Sequence, residues 1–148
     1  MPDALDITAA IVIRARPERV WQVAMDWGRQ GEWIPATRVS GGTGTGARVV
    51  AWTGLGRAGF TDTMTITEWD PPRRCTVTHT GKVVRGRGVF EVLPRGEGAE
   101  FRWTELAELP VPAALRPAAT AVGRWTLAPV MRLALGYALR RLARLAED

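Results

Sequence analysis

The chain has 148 residues, 46% hydrophobic and 24% charged, a composition that suits one globular domain over residues 1–148 and excludes disorder. Cys75, His79 and Ser40 are each the only residue of their type, which excludes an intrachain disulfide, a multi-cysteine zinc site and a His-rich metal centre. The net charge of +5 comes from 19 arginines and one lysine scattered along the chain rather than gathered in a stripe, which argues against a nucleic-acid partner.

The chain opens with alternation. Leu5, Ile7, Ala9, Ile11 and Ile13 project to one face and Asp6, Thr8 and Arg14 to the other, with Val12 as the exception, so a half-buried strand is predicted. The period then changes. Pro17 suits a first helical turn, Glu18 favours a helix N-terminus, and Val20, Trp21 and Ala24 make an apolar stripe. Gly28 and Gly31 break that helix, and a second short helical piece runs to Trp33 before Pro35.

Residues 40–46 (Ser-Gly-Gly-Thr-Gly-Thr-Gly) read as a flexible hairpin turn. They loosely match a dinucleotide-binding pattern, but that motif must open a helix, and here it leads into the strand-like run from Arg48 to Trp52. From 48 to 109 successive strands are separated by short turns, which implies antiparallel neighbours. Phe60, Asp62, Met64 and Ile66 alternate with Thr61, Thr63, Thr65 and Thr67; Asp70, Pro71 and Pro72 make a turn; Cys75, Val77 and His79 share one face of the next strand. After Pro110 and Pro112 one long helix is expected to the end. Val122, Trp125, Pro129, Leu133 and Tyr137 recur at helical spacing, widened by Leu127, Met131, Leu135, Leu139 and Leu142.

That terminal segment is not a membrane span. Residues 117–139 have the length, but Arg124 and Arg132 would each cost about 2.5–3.5 kcal/mol at mid-bilayer, and Pro129 interrupts the centre. Met1, Pro2 and Asp3 provide neither the basic nor the apolar part of a signal peptide, so a cytoplasmic location is expected. The predicted architecture is α+β, a run of antiparallel strands with a helix laid across one sheet face. A curved sheet of this kind encloses space for a small molecule.

Nucleophile chemistry finds little support. Ser40 and His79 lie in no nucleophile-elbow motif. Cys75 and His79, four residues apart on one strand, are separated by about 13 Å, too far to act as a dyad. Cys75 reads as a small buried apolar residue, and Arg73, Arg74, Arg85 and Arg87 read as solvated turn ends. No metal, nucleotide or flavin motif survives, so no cofactor is expected.

Three ionisable residues stand on otherwise apolar strand faces: Asp62 beside Phe60 and Met64, His79 beside Val77, and Glu105 beside Trp103 and Ala107. A buried charge must be paired, neutralised or turned to a wet cavity, so these are the candidates to orient a polar ligand group or move a proton. His79, with Asp62, is the first general acid/base candidate because histidine titrates nearest neutral pH. Seven of the eleven aromatic residues are tryptophans. Trp21 is expected to pack the first helix on the sheet, whereas Trp33, Trp52, Trp103 and Trp125 are candidates for a ligand cavity, with Met64, Met131 and Tyr137.

The run from Ala15 through Pro17 and Val20 to Trp21 after the first strand, then Asp26 followed by Trp33, Ile34 and Pro35, resembles the START-like, Bet v 1-type superfamily (SRPBCC). The run from Glu68 through Trp69, Asp70, Pro71, Pro72 and Arg73 to Arg74, and the long terminal helix, strengthen the resemblance, which points to the bacterial polyketide cyclase/dehydrase and lipid-transport branch. It implies a helix-grip fold: a curved seven-stranded antiparallel sheet around a long C-terminal helix, two short helices after the first strand, and an apolar cavity between sheet and helix. Members bind lipids, polyketides or other hydrophobic molecules, and some catalyse cyclisation or dehydration; no residue set here carries the cyclase activity over. The leading expectation is therefore binding or carriage of a hydrophobic small molecule. The alternatives are a cofactor-independent cyclase or dehydratase, and a co-chaperone-like or membrane-surface module using the Arg-rich terminal helix. A homodimer is left open.

Overall fold

In the computed structural model, which describes residues 4–148, the opening alternation becomes β1 (Ala4–Ile13), with Leu5, Ile7 and Ile13 buried. Met1, Pro2 and Asp3, which carry the leader argument, lie outside the described residues. Pro17 starts α1 (Pro17–Ala24), whose Val20, Trp21, Val23 and Ala24 are buried, and a 3-10 turn follows over Trp27–Glu32. The strands are β2 (Thr37–Gly41), β3 (Arg48–Leu55), β4 (Ala58–Asp70), β5 (Arg74–His79), β6 (Arg85–Arg95) and β7 (Gly98–Glu108). All pairings are antiparallel, in the order β1-β7-β6-β5-β4-β3-β2. The chain thus runs as a meander from β2 to β7, and β1 closes the far edge against β7. This curved seven-stranded sheet with its C-terminal helix is a helix-grip fold.

Two details depart from the sequence reading. The Ser-Gly-rich stretch begins inside β2, a five-residue edge strand too short to show a period, and the turn proper lies beyond Gly41. Gly44 and Gly46 have φ of 89° and 92°, the left-handed region that glycine reaches at little cost. The C-terminal helix is not continuous either. It forms α2 (Arg116–Trp125) and α3 (Leu127–Glu147), parted at Thr126. Pro129 is the physical reason: lacking an N–H and crowding the carbonyl four residues back, it is accepted only in a first turn, so a new helix must start just before it.

The stripe of Val122, Trp125, Pro129, Leu133 and Tyr137 is not the packed face of the helix. All five are exposed, Trp125 to 87%. The buried face of α3 is instead Ala128, Leu135, Ala138, Leu139, Leu142, Ala143 and Ala146. Its alanines let the helix sit close to β1 and α1. No helix among the described residues is long and apolar enough to cross a membrane.

The core holds an aromatic cluster in which Phe90 of β6, Phe101 and Trp103 of β7 and Trp33 contact one another at centroid distances of 5.4–6.2 Å. On β4 a bulge between Ile66 and Glu68 shifts the phase of the strand. Trp69 therefore returns to the inner side and meets Trp21 edge-on at 5.1 Å. Cys75 is buried as expected of a small apolar residue, and burial, with the Glu68 charge, pushes its thiol up to about 12.

Candidate functional site

A cavity of about 640 Å³ opens between the inner face of the sheet and the first half of α3. Its interior wall includes Ile7 of β1, Trp103 of β7 and Leu135 and Ala138 of α3, all buried. The exposed lining residues Phe60, Leu133 and Tyr137 mark the mouth. The wall is predominantly apolar, as small-molecule sites are.

Asp62, His79 and Glu105 meet on this wall. His79 Nδ1 lies 2.9 Å from Asp62 Oδ1, and His79 Nε2 lies 3.1 Å from Glu105 Oε2. The second oxygen of Glu105, Oε1, accepts the indole N–H of Trp103 at 2.7 Å. The His79 side chain is only 5% exposed.

Strand alternation builds the cluster. On β4, Asp62 falls two residues from Met64, which pairs with His79, so both point to the inner face. Glu105 stands two strands from His79, across β6, and the position between them is Gly88, which pairs with both Val77 and Glu105. A Cβ there would stand 3.0 Å from Glu105 Oε1 and 3.2 Å from a Val77 methyl. Gly88 is thus the gap through which Glu105 reaches the imidazole.

The protonation of the cluster follows from its surroundings. Burial disfavours a charged imidazole, but the hydrogen bonds to Asp62 and Glu105 and the charges of both carboxylates outweigh it, and the His79 pKa is raised to about 9. His79 is therefore an imidazolium at neutral pH with both N–H groups committed. It has no free lone pair for a metal and no free nitrogen to act on a bound molecule. Asp62 is the member with an open oxygen: Oδ2 takes no hydrogen bond among the described residues. Among those residues no group of three His, Cys, Asp or Glu side chains is arranged to hold a metal ion.

Of the sequence candidates, Asp62, His79, Trp103, Glu105, Met131 and Tyr137 line the cavity. Four do not. Trp33 is fully buried in the aromatic cluster behind the wall. Trp52 points to the outer sheet face, stacked under the Arg38 guanidinium at 4.9 Å, because its neighbours Ala51 and Thr53 take the inner positions. Met64 is on the inner face but packs into the core. Trp125 ends α2 in solvent, beside Asp6, Arg124 and Arg132. Sequence reasoning missed Ile34, Pro35, Thr37, Val84 and Ala134, whose residue types carry no chemical signal, and Thr53 and Ala107, which strand alternation places with Ala51 and Glu105.

The sequence matches the family described as polyketide cyclase / dehydrase and lipid transport over residues 4–147. The chain belongs to that family. No curated protein matches the sequence. Among solved structures, TTHA0849 from Thermus thermophilus is 21% identical, with a TM-score of 0.74 over 95% of this chain and 96% of that one. The di-domain aromatase/cyclase StfQ of the steffimycin biosynthetic pathway is 15% identical, with a TM-score of 0.76 over 97% of this chain and 51% of its own length. MLL2253 from Mesorhizobium loti is 13% identical, with a TM-score of 0.71 over 95% of both chains. At these identities the likeness is one of fold.

Proposed function

We propose that this member of the family binds a hydrophobic small molecule in the cavity between sheet and α3, anchoring a polar group of that molecule at Asp62. One observation carries the reading: an apolar space of about 640 Å³ whose wall, among the described residues, holds a single charged cluster, in which Asp62 Oδ2 takes no hydrogen bond. That volume falls in the range of about 300–1,000 Å³ usual for small-molecule sites. A charged cluster set in an apolar wall is costly to bury without a polar group to orient, which favours a recognition role.

A second reading, catalysis, draws on the same oxygen. Asp62 could accept a proton from a bound molecule while the His79 imidazolium stabilises the carboxylate, with rate gained from positioning. The family's description includes cyclases and dehydrases as well as lipid transport, and so accommodates both.

Native mass spectrometry of the purified protein, followed by solvent extraction, tests the proposal. A co-purifying hydrophobic molecule is expected, and its release by Leu135→Trp, which fills the cavity, would assign it to this site. Absence of any bound molecule, together with no uptake of the neutral dye Nile red, would overturn the binding reading. If a bound compound is recovered, its conversion by the wild-type protein and loss of turnover with retained binding in Asp62→Asn would establish the catalytic one.

A further inference from the structure

The hydrogen bonds of the cavity wall have a direction. Among the described residues, every buried side-chain polar hydrogen of the lining is already used. Both ring nitrogens of His79 are hydrogen-bonded, one to Asp62 and one to Glu105, and the indole N–H of Trp103 goes to Glu105. The Thr37 hydroxyl donates to Pro35 O at 3.0 Å, which leaves Thr53 as the donor in the 3.1 Å contact between the two hydroxyls. The unpartnered indole N–H of Trp33 belongs to the closed core behind the wall. The Tyr137 hydroxyl is the remaining side-chain donor of the lining, and Tyr137 stands half-exposed at the mouth. What the interior offers a guest is acceptors: Asp62 Oδ2 first, then the lone pairs of Thr53.

The charge follows from the same geometry. Two hydrogen bonds join one imidazole to two carboxylates, and they require two protons. Whether both protons sit on the ring or one sits on a carboxyl, the three groups together carry one negative charge. Among the described residues, no lysine or arginine lines the cavity to offset it. In surroundings of low dielectric such a charge attracts a cation strongly and repels an anion.

We propose that the cavity selects apolar molecules by a donor-bearing cationic head, an alkyl or aryl ammonium group set against Asp62, and rejects carboxylates. The proposal rests on the binding reading above and deepens it by naming the head group. An alcohol or phenol, which can donate but brings no charge, ranks second. A fatty acid or other free carboxylate meets only lone pairs and like charge.

Three matched probes test it: 1-naphthylmethylamine, 1-naphthalenemethanol and 1-naphthoate, titrated by displacement of Nile red at neutral pH. The apolar part is constant, so differences in Kd report the head. The amine is expected to bind at least tenfold tighter than the alcohol, with the carboxylate weaker still. Asp62→Asn should remove the amine's advantage while changing the alcohol's Kd by less than about threefold, with thermal unfolding confirming that the variant is folded. Nile red uptake with three equal affinities, or with the carboxylate preferred, would overturn the head-group inference and leave the binding reading intact. Failure of Nile red and all three probes to bind would remove both. The wild-type ranking alone decides the inference should Asp62→Asn fail to fold.

Discussion

The two halves of α3 face the same sheet and differ in what lies between. Toward the C-terminus, Leu139, Leu142, Ala143 and Ala146 are buried against the core, and the end of the helix is tied down. The Arg14 amide donates to Glu147 Oε2 at 2.8 Å, and Arg19 reaches the carbonyls of Leu145 and Ala146. Toward the N-terminus, Met131, Ala134, Leu135 and Ala138 look onto a cavity of about 640 Å³. Residue types hardly change along the helix. The space arises because small side chains on both walls, Ala134 and Ala138 facing Thr37, Thr53 and Ala107, leave volume that none of them fills. One half therefore holds the molecule together and the other is free to hold something else.

The largest expected effect falls at the packed end. Phe101→Ala deletes a fully buried ring of the aromatic cluster and should cost about 3–5 kcal/mol in denaturant unfolding. Met131→Ala only enlarges an existing space and should cost less than about 1.5 kcal/mol. Equal losses would mean that the two halves are packed alike.

The next effect tests the charged cluster. The His79 pKa is raised to about 9 from 6.5, so the folded protein keeps a proton that the unfolded chain releases between these values. The stabilisation is complete below pH 6.5, declines as pH rises and is gone above about 9. Its size is on the order of 3 kcal/mol, and unfolding free energies measured across that window should show it. A flat profile, or one that rises with pH, would contradict the doubly bonded imidazolium.

A smaller change concerns Gly88. In Gly88→Ala the new methyl would stand 3.0 Å from Glu105 Oε1, so the carboxylate must retreat from His79. The His79 pKa should fall, readable by NMR on the chain's single histidine, at a stability cost of about 1–2 kcal/mol. An unmoved pKa would show that Glu105 reaches the ring by another path. The smallest effect is expected at Trp125→Ala, within about 0.5 kcal/mol, because the ring is solvated at the end of α2. A larger loss would mean that the Trp125 ring is packed rather than solvated.

That stripe shows where legibility ended. Hydrophobic spacing detects a helix, but the segment carries two apolar rows, one through Leu133 and Tyr137 and one through Leu135, Leu139 and Leu142. Which row is covered depends on the turn at Thr126 and on the approach to β1, neither of which is local. The strand faces were more readable. A period of two leaves only two choices, so Asp62, His79 and Glu105 could be recognised as ionisable residues on apolar faces before any pairing was known. Trp52 failed the same test because a lone tryptophan in a strand shows no face of its own; Ala51 and Thr53 had to be placed first.

Periodicity, turn chemistry and short connections are properties of neighbouring residues, so the order of elements, the antiparallel meander and the family were all readable along the chain. The same local reading marked three side chains that could not be buried alone. That they meet is a matter of packing in three dimensions. Asp62, His79 and Glu105 belong to three different strands, and their contact depends on sheet register and on a missing side chain at Gly88. Register and empty volume arise from distances between segments far apart in the chain, and no local pattern encodes them.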